Sequence, residues 1–99
     1  MLERDIESTV CKRATAKGVL NYKFTSPARR MVPDRIFILP SGFIFFIEFK
    51  RTGVSATICQ QREHERLRHH KVKVFVVDSV TDGNLIIDSM LQSYHDWPA

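Results

Sequence analysis

Apolar residues at Leu2, Ile6 and Val10 recur every four positions, with charged residues on the faces between them. That spacing predicts an amphipathic helix over residues 3–17, closed by Gly18 at a C-cap position. From Val19 to Thr25 the pattern changes to a short alternation, a candidate first strand, which Ser26-Pro27-Ala28-Arg29-Arg30 ends as a loop. Ile36–Leu39 and Phe43–Lys50 are β-branched and aromatic runs separated by Pro40-Ser41-Gly42, as in a hairpin. A small polar connection, Gly53–Thr57, leads to a helix-compatible polar run, Gln60–His70, with Leu67 as its inward anchor. Val72–Val77 is nearly all apolar, as expected of a strand covered on both faces. Thr81-Asp82-Gly83-Asn84 reads as a turn, and Leu85–Tyr94 as a final helix offering Leu85, Met90, Leu91 and Tyr94 for packing.

The element order is therefore α-β-β-β-α-β-α. The first three strands pair as hairpins, and the helix after the third permits a parallel crossover to the fourth. This is an α/β fold, a small mixed β-sheet flanked by helices. Phe37, Phe43, Phe45, Phe46 and Phe75 fall at core spacing within it. Ninety-nine residues leave room for one domain, 1–99, and no repeat, linker or low-complexity segment divides it.

Charge narrows the range of partners. Fifteen Lys and Arg against eleven Asp and Glu give +4, a balance that favours polyanions, nucleic acid first among them, though it also serves solubility alone. The longest apolar run, Phe43–Ile47, is far too short to span a bilayer, so no membrane partner is expected. Met1-Leu2-Glu3-Arg4-Asp5 lacks the apolar stretch of a signal peptide, which points to the cytoplasm. Cys11 and Cys59 make neither a disulfide framework nor a four-ligand zinc site, and read as small buried or half-buried residues. His64, His69 and His70 have no Cys or further His at ligand spacing, which disfavours a zinc reading.

The anomaly lies at the end of the third strand, where Glu48 follows five apolar residues and precedes Phe49 and Lys50. In a strand, residues two apart share a face, so Glu48 and Lys50 point one way while Ile47 and Phe49 point the other. Alone, this is as well explained by a strand end reaching water, with a surface pair worth about 1 kcal/mol or less. Asp34 changes that balance. It follows Val32-Pro33 at the mouth of the preceding strand, and a hairpin folding residues 34–39 along 43–50 can set its carboxylate beside that of Glu48. Two such carboxylates repel unless a cation sits between them, and oxygen-only ligands at an open site suit Mg²⁺ or Mn²⁺. Such an ion acidifies a water and neutralises charge on a phosphodiester, and the Lys50 ammonium would orient that water or steady the phosphate.

Val32-Pro33-Asp34-Arg35, Phe46-Ile47-Glu48-Phe49-Lys50 and Gln60 together resemble the virus-type replication-repair nuclease (VRR-NUC) domain of the PD-(D/E)xK superfamily. Ile6-Glu7, Tyr22-Lys23-Phe24, Ser26–Arg30, Gln60–Leu67 and Val74–Ser79 follow the family's pattern in order, so that the resemblance spans roughly residues 3–80. It implies a restriction-endonuclease-like fold and a Mg²⁺- or Mn²⁺-dependent DNA nuclease. Asp34 and Glu48 would be metal ligands with the Phe49 carbonyl as a third, Lys50 the catalytic lysine and Glu7 the helix glutamate completing the acidic cluster. Gln60, preferred to Gln61, would brace the water or metal shell. Two departures concern local loop shape: Met31 and His70-Lys71 stand where the family usually has glycines.

Lys23, Ser26, Arg29, Arg30 and Arg35 gather around the Asp34 loop as a candidate DNA phosphate clamp. Arg62, Arg66, Arg68 and Lys71, diluted by Glu63 and Glu65, read as a solvated helix face that DNA only grazes. The resulting expectation is an endonuclease that acts as a homodimer on DNA, branched or duplex, with Holliday-junction or flap-like structures preferred. By analogy its setting is a bacterial host or a phage-infected cell. The alternative is a non-catalytic DNA-binding subunit that keeps the fold.

Overall fold

Alternating residues from Leu20 onward build three antiparallel strands, and a helical crossover adds a fourth in parallel. The computed structural model describes residues 1–98. Its elements are α1 (Glu3–Ala16), β1 (Leu20–Lys23), β2 (Arg35–Ile38), β3 (Ile44–Phe49), α2 (Ile58–His69), β4 (Val74–Val77) and α3 (Val80–Ser93). The sheet order is β1-β2-β3-β4, with the first two pairings antiparallel and β3–β4 parallel. The α-β-β-β-α-β-α order read from the sequence is the order observed. Among the described residues no helix is long and apolar enough to cross a membrane.

Register assigns the faces. Phe37 pairs with Phe45 and Arg35 with Ile47, so these residues and Phe49 share one face with Val77 of β4. Ile6, Val10 and Ala14 of α1 and Ile87 of α3 close over that face, all fully buried in one cluster. Each large side chain so buried contributes about 1.5–3 kcal/mol. Phe43 and Phe75 pack at its margin. Phe46 and Glu48 lie on the opposite face, towards α2, where Phe46 meets Phe24 at a ring-centroid distance of 5.0 Å.

Four expectations are corrected. Thr81–Asn84 is no turn but the first turn of α3, because the Ser79 side chain caps the helix by accepting from the Asp82 amide. Leu85 is exposed rather than packed, since the helix places Gly83, Ile87 and Met90 inward instead. Val76 is 39% exposed, because β4 is the sheet's outer strand and is not covered along its whole length. Cys59 is exposed on α2, whereas Cys11 is buried, and burial pushes its thiol up to about 11.

Two backbone positions explain how the elements meet. Lys71, which stands where the resemblance expects glycine, follows the α2 C-cap with φ of 68°, a left-handed conformation costing an L-residue about 1–2 kcal/mol. Gly83 sits where α3 crosses α1, and a Cβ there would lie 2.6 Å from Val10 Cγ2. Val10 is β-branched and fully buried, so it cannot swing aside. Gly83→Ala is therefore expected to destabilise the protein by about 1–3 kcal/mol, despite alanine's better helix propensity. A thermal melt should show a drop of at least about 4 °C, and an unchanged or higher Tm would refute the close contact.

Candidate active site

Asp34 enters the site through its own strand. Pro33 is buried before it, and the Asp34 carbonyl accepts a hydrogen bond from the Phe24 amide at 2.8 Å. Extending the β2–β3 register by one step beyond Arg35 and Ile47 sets Asp34 across from Glu48. The Phe49 amide donates to Asp34 Oδ2 at 2.9 Å, which fastens the carboxylate to the end of β3.

Glu48 is 2% exposed, a depth at which an ionised carboxylate needs partners. Gln60 Nε2 donates to its Oε2 at 3.1 Å, and Lys50 Nζ stands 3.7 Å from the same oxygen. The glutamine is itself held: its Oε1 accepts from the Thr57 amide while the Thr57 hydroxyl accepts from the Gln60 amide, a reciprocal cap that opens α2. Gln61 turns away and donates to the Ala56 carbonyl. The other Glu48 oxygen, Oε1, has no hydrogen-bond partner among the described residues. It faces His64 Nε2 at 3.8 Å, likewise buried and without a partner. Sequence reasoning set His64 aside, yet the signal existed: it lies four residues after Gln60, on the same face of α2.

Burial raises the Asp34 carboxyl to about 6, with the nearby Glu48 charge adding to the rise and the Phe49 amide opposing it. The ordinary value is 3.8, so between that and about 6 the folded chain holds a proton that the unfolded chain releases. Stability consequently falls as pH rises through this window. Two carboxylates forced together, one with a buried oxygen lacking any donor, form a donor set that fits a hard divalent cation. Added Mg²⁺ is expected to raise the Tm, and to raise it more at pH 7.5 than at pH 5, because the ion requires the ionised acid. Differential scanning fluorimetry across that range checks this, and a shift independent of pH would count against Asp34 as a ligand.

Glu7 is placed differently. It lies close enough to contribute to the Asp34 shift, but its Oε2 accepts from Arg35 Nε at 2.6 Å and pairs with Lys23 Nζ at 3.1 Å. Among the described residues no three His, Cys, Asp or Glu side chains gather as a metal cage. Arg35 and Lys23 thus meet an acid supplied by α1. Arg29 is paired too, its Nε lying 3.0 Å from Glu63 Oε1 on α2. Arg30 is exposed and forms no ion pair among the described residues, and Ser26 accepts the Arg29 amide through its carbonyl. Arg29, Arg30 and Met31 line a cleft of about 350 Å³ with Arg62 and Arg66, so α2 presents arginines to the loop rather than only to solvent.

No family model matches the chain. It is 44% identical over 77 residues to "Putative nuclease p44" of Acyrthosiphon pisum secondary endosymbiont phage 1, covering 78% of this chain and 83% of that protein. A solved structure described as "VRR_NUC domain" matches 93% of this chain and 96% of its own, with a TM-score of 0.78 and 33% identity.

Proposed function

The chain belongs to the VRR-NUC family of nucleases, and from that premise we propose that it is a metal-dependent DNA endonuclease whose centre is Asp34, Glu48 and Lys50. One observation carries the reading: two carboxylates face each other where β2 begins and β3 ends, and one keeps a buried oxygen without a donor. Asp34 and Glu48 would hold Mg²⁺ or Mn²⁺ with the Phe49 carbonyl, and the ion would supply an acidified water and charge neutralisation on the phosphate.

The protein's own groups do the rest. The Phe49 amide fixes the Asp34 carboxylate, and Gln60 fixes that of Glu48, so neither has to be oriented during the reaction. Lys50 keeps its ammonium against Glu48, from where it can orient the attacking water and offset charge gathering on the phosphoryl oxygens. Glu7 sits one shell out, setting Arg35 and Lys23 in place. Arg29 and Arg30, with the Ser26 loop and the α2 arginines, take DNA phosphates beside the cut.

The substrate reading is branched DNA, a four-way junction or flap, cut by a homodimer in the cytoplasm of a bacterial host or phage-infected cell. One centre per chain supports pairing, since two strands need two centres. So do Leu20, Tyr22 and Ile44, exposed on the same sheet face and available to a second copy. The test incubates end-labelled junction, flap and linear duplex with Mg²⁺, with Mn²⁺ and with EDTA. Cleavage that requires metal and favours branched DNA is expected. Tight binding without cleavage on any substrate would instead establish a DNA-binding subunit.

A further inference from the structure

Helix α1 divides its cations between two sides. Towards α3, Arg13 and Lys17 both pair with Asp88, at 2.8 and 3.1 Å. Towards β1, Arg4 and Lys12 are exposed and form no ion pair among the described residues. They line an open groove of about 530 Å³ between α1 and β1, together with Lys23 and Arg35. Its one acid, Glu7, is already neutralised by Arg35 and Lys23, so the groove is positive along its length. A second hollow, about 550 Å³, shares Arg4, Glu7 and Lys23 with the first and extends it, past a second acid, Glu3, to Arg51, the residue after Lys50.

We propose that this α1–β1 groove is a second phosphate track, which holds the backbone of a DNA arm leaving the cut on the face of the sheet opposite the Arg29–Arg30 cleft. The helix supplies the geometry. Arg4, Ser8 and Lys12 are spaced four apart, so a polar or cationic group recurs every roughly 6 Å along the groove, a repeat suited to successive phosphates on one strand. Ser8 and Thr15 add hydroxyl groups. The two basic surfaces lie on the α1 and α2 sides of the sheet; Asp34 and Glu48 belong to the α2 side, and the hollow that reaches Arg51, next to Lys50, brings the α1 side to the same end of β3. A straight duplex segment can follow one of them. Both are followed only by DNA that forks or bends sharply at the scissile bond. The inference rests on the nuclease reading for its choice of polyanion and adds to it the surface that takes a second arm.

The test is binding, measured in EDTA so that cleavage plays no part. Arg4→Glu/Lys12→Glu is compared with the parent on a flap or junction and on a linear duplex whose arms match in length, over a series of salt concentrations. Affinity for the branched DNA is expected to fall about tenfold or more, with a log–log salt slope shallower by about 2, while linear duplex changes little. Arg4→Gln/Lys12→Gln should fall in the same direction by less. Circular dichroism confirms that both variants fold, as exposed sites should allow. Unchanged affinity and slope on branched DNA would overturn the track, and an equal loss on linear duplex would overturn its assignment to a second arm. Failure of the nuclease reading would look different: the parent would cut none of the substrates with metal present, whatever the binding results.

Discussion

Glu48→Gln is expected to lower metal-dependent cleavage by about 10³-fold or more while leaving the fold at least as stable as the parent. The amide has the carboxylate's shape, so Gln60 Nε2 still finds an oxygen acceptor and α2 keeps its cap. What disappears is a buried negative charge with one undonated oxygen, together with part of the repulsion that lifts Asp34 to about 6. A raised acid value is a cost to the folded state at neutral pH, and relieving it adds stability there. The Tm at pH 7.5 without metal should therefore stay level or rise, and the Mg²⁺-induced increase should vanish. Single-turnover cleavage and paired melts read out both effects. Parent-level cleavage by the variant would remove Glu48 from the chemistry altogether.

Lys50→Met separates holding the ion from using it. The lysine side chain is 14% exposed, and methionine retains most of the apolar stem that packs there. The ammonium 3.7 Å from Glu48 Oε2 is lost, and with it a positive charge that competes with any cation for that carboxylate. Cleavage should fall about 10²–10³-fold, as for loss of one charge-stabilising donor. Affinity for Ca²⁺, a cation that reports binding without demanding turnover, should stay the same or tighten by calorimetry. Weakened Ca²⁺ binding in proportion to the lost rate would make Lys50 a structural prop for Glu48 rather than a participant in the reaction.

Which parts of this were readable from the chain follows from the range of the interactions involved. The strands around Phe37 and Phe45 and the facing of Asp34 with Glu48 depend on alternation and one short turn, all within sixteen residues. Gln60 was readable through the motif it completes. Arg29–Glu63 and Arg35–Glu7 were not, because their partners lie 34 and 28 residues away and nothing local marks them. The start of α3 failed for a related reason. Asp82-Gly83-Asn84 has turn chemistry, and only the approach of Val10 from α1 explains a glycine inside a helix there. Lys71 shows the converse, a position where the backbone adopts a glycine's conformation without the glycine.

Gln60 belongs to two structures at once, since one end of its amide closes the first turn of α2 and the other grips Glu48. Thermodynamic reciprocity then ties the helix to the acid. Anything that frays that turn slackens the carboxylate, and anything that fastens on the carboxylate quiets the turn. The same bond limits how the protein can change. A substitution that retunes the acid without disturbing the helix is not available at this residue, so evolution and engineering alike must reach Glu48 from another direction. His64, one turn further along and still unengaged, is where that freedom lies.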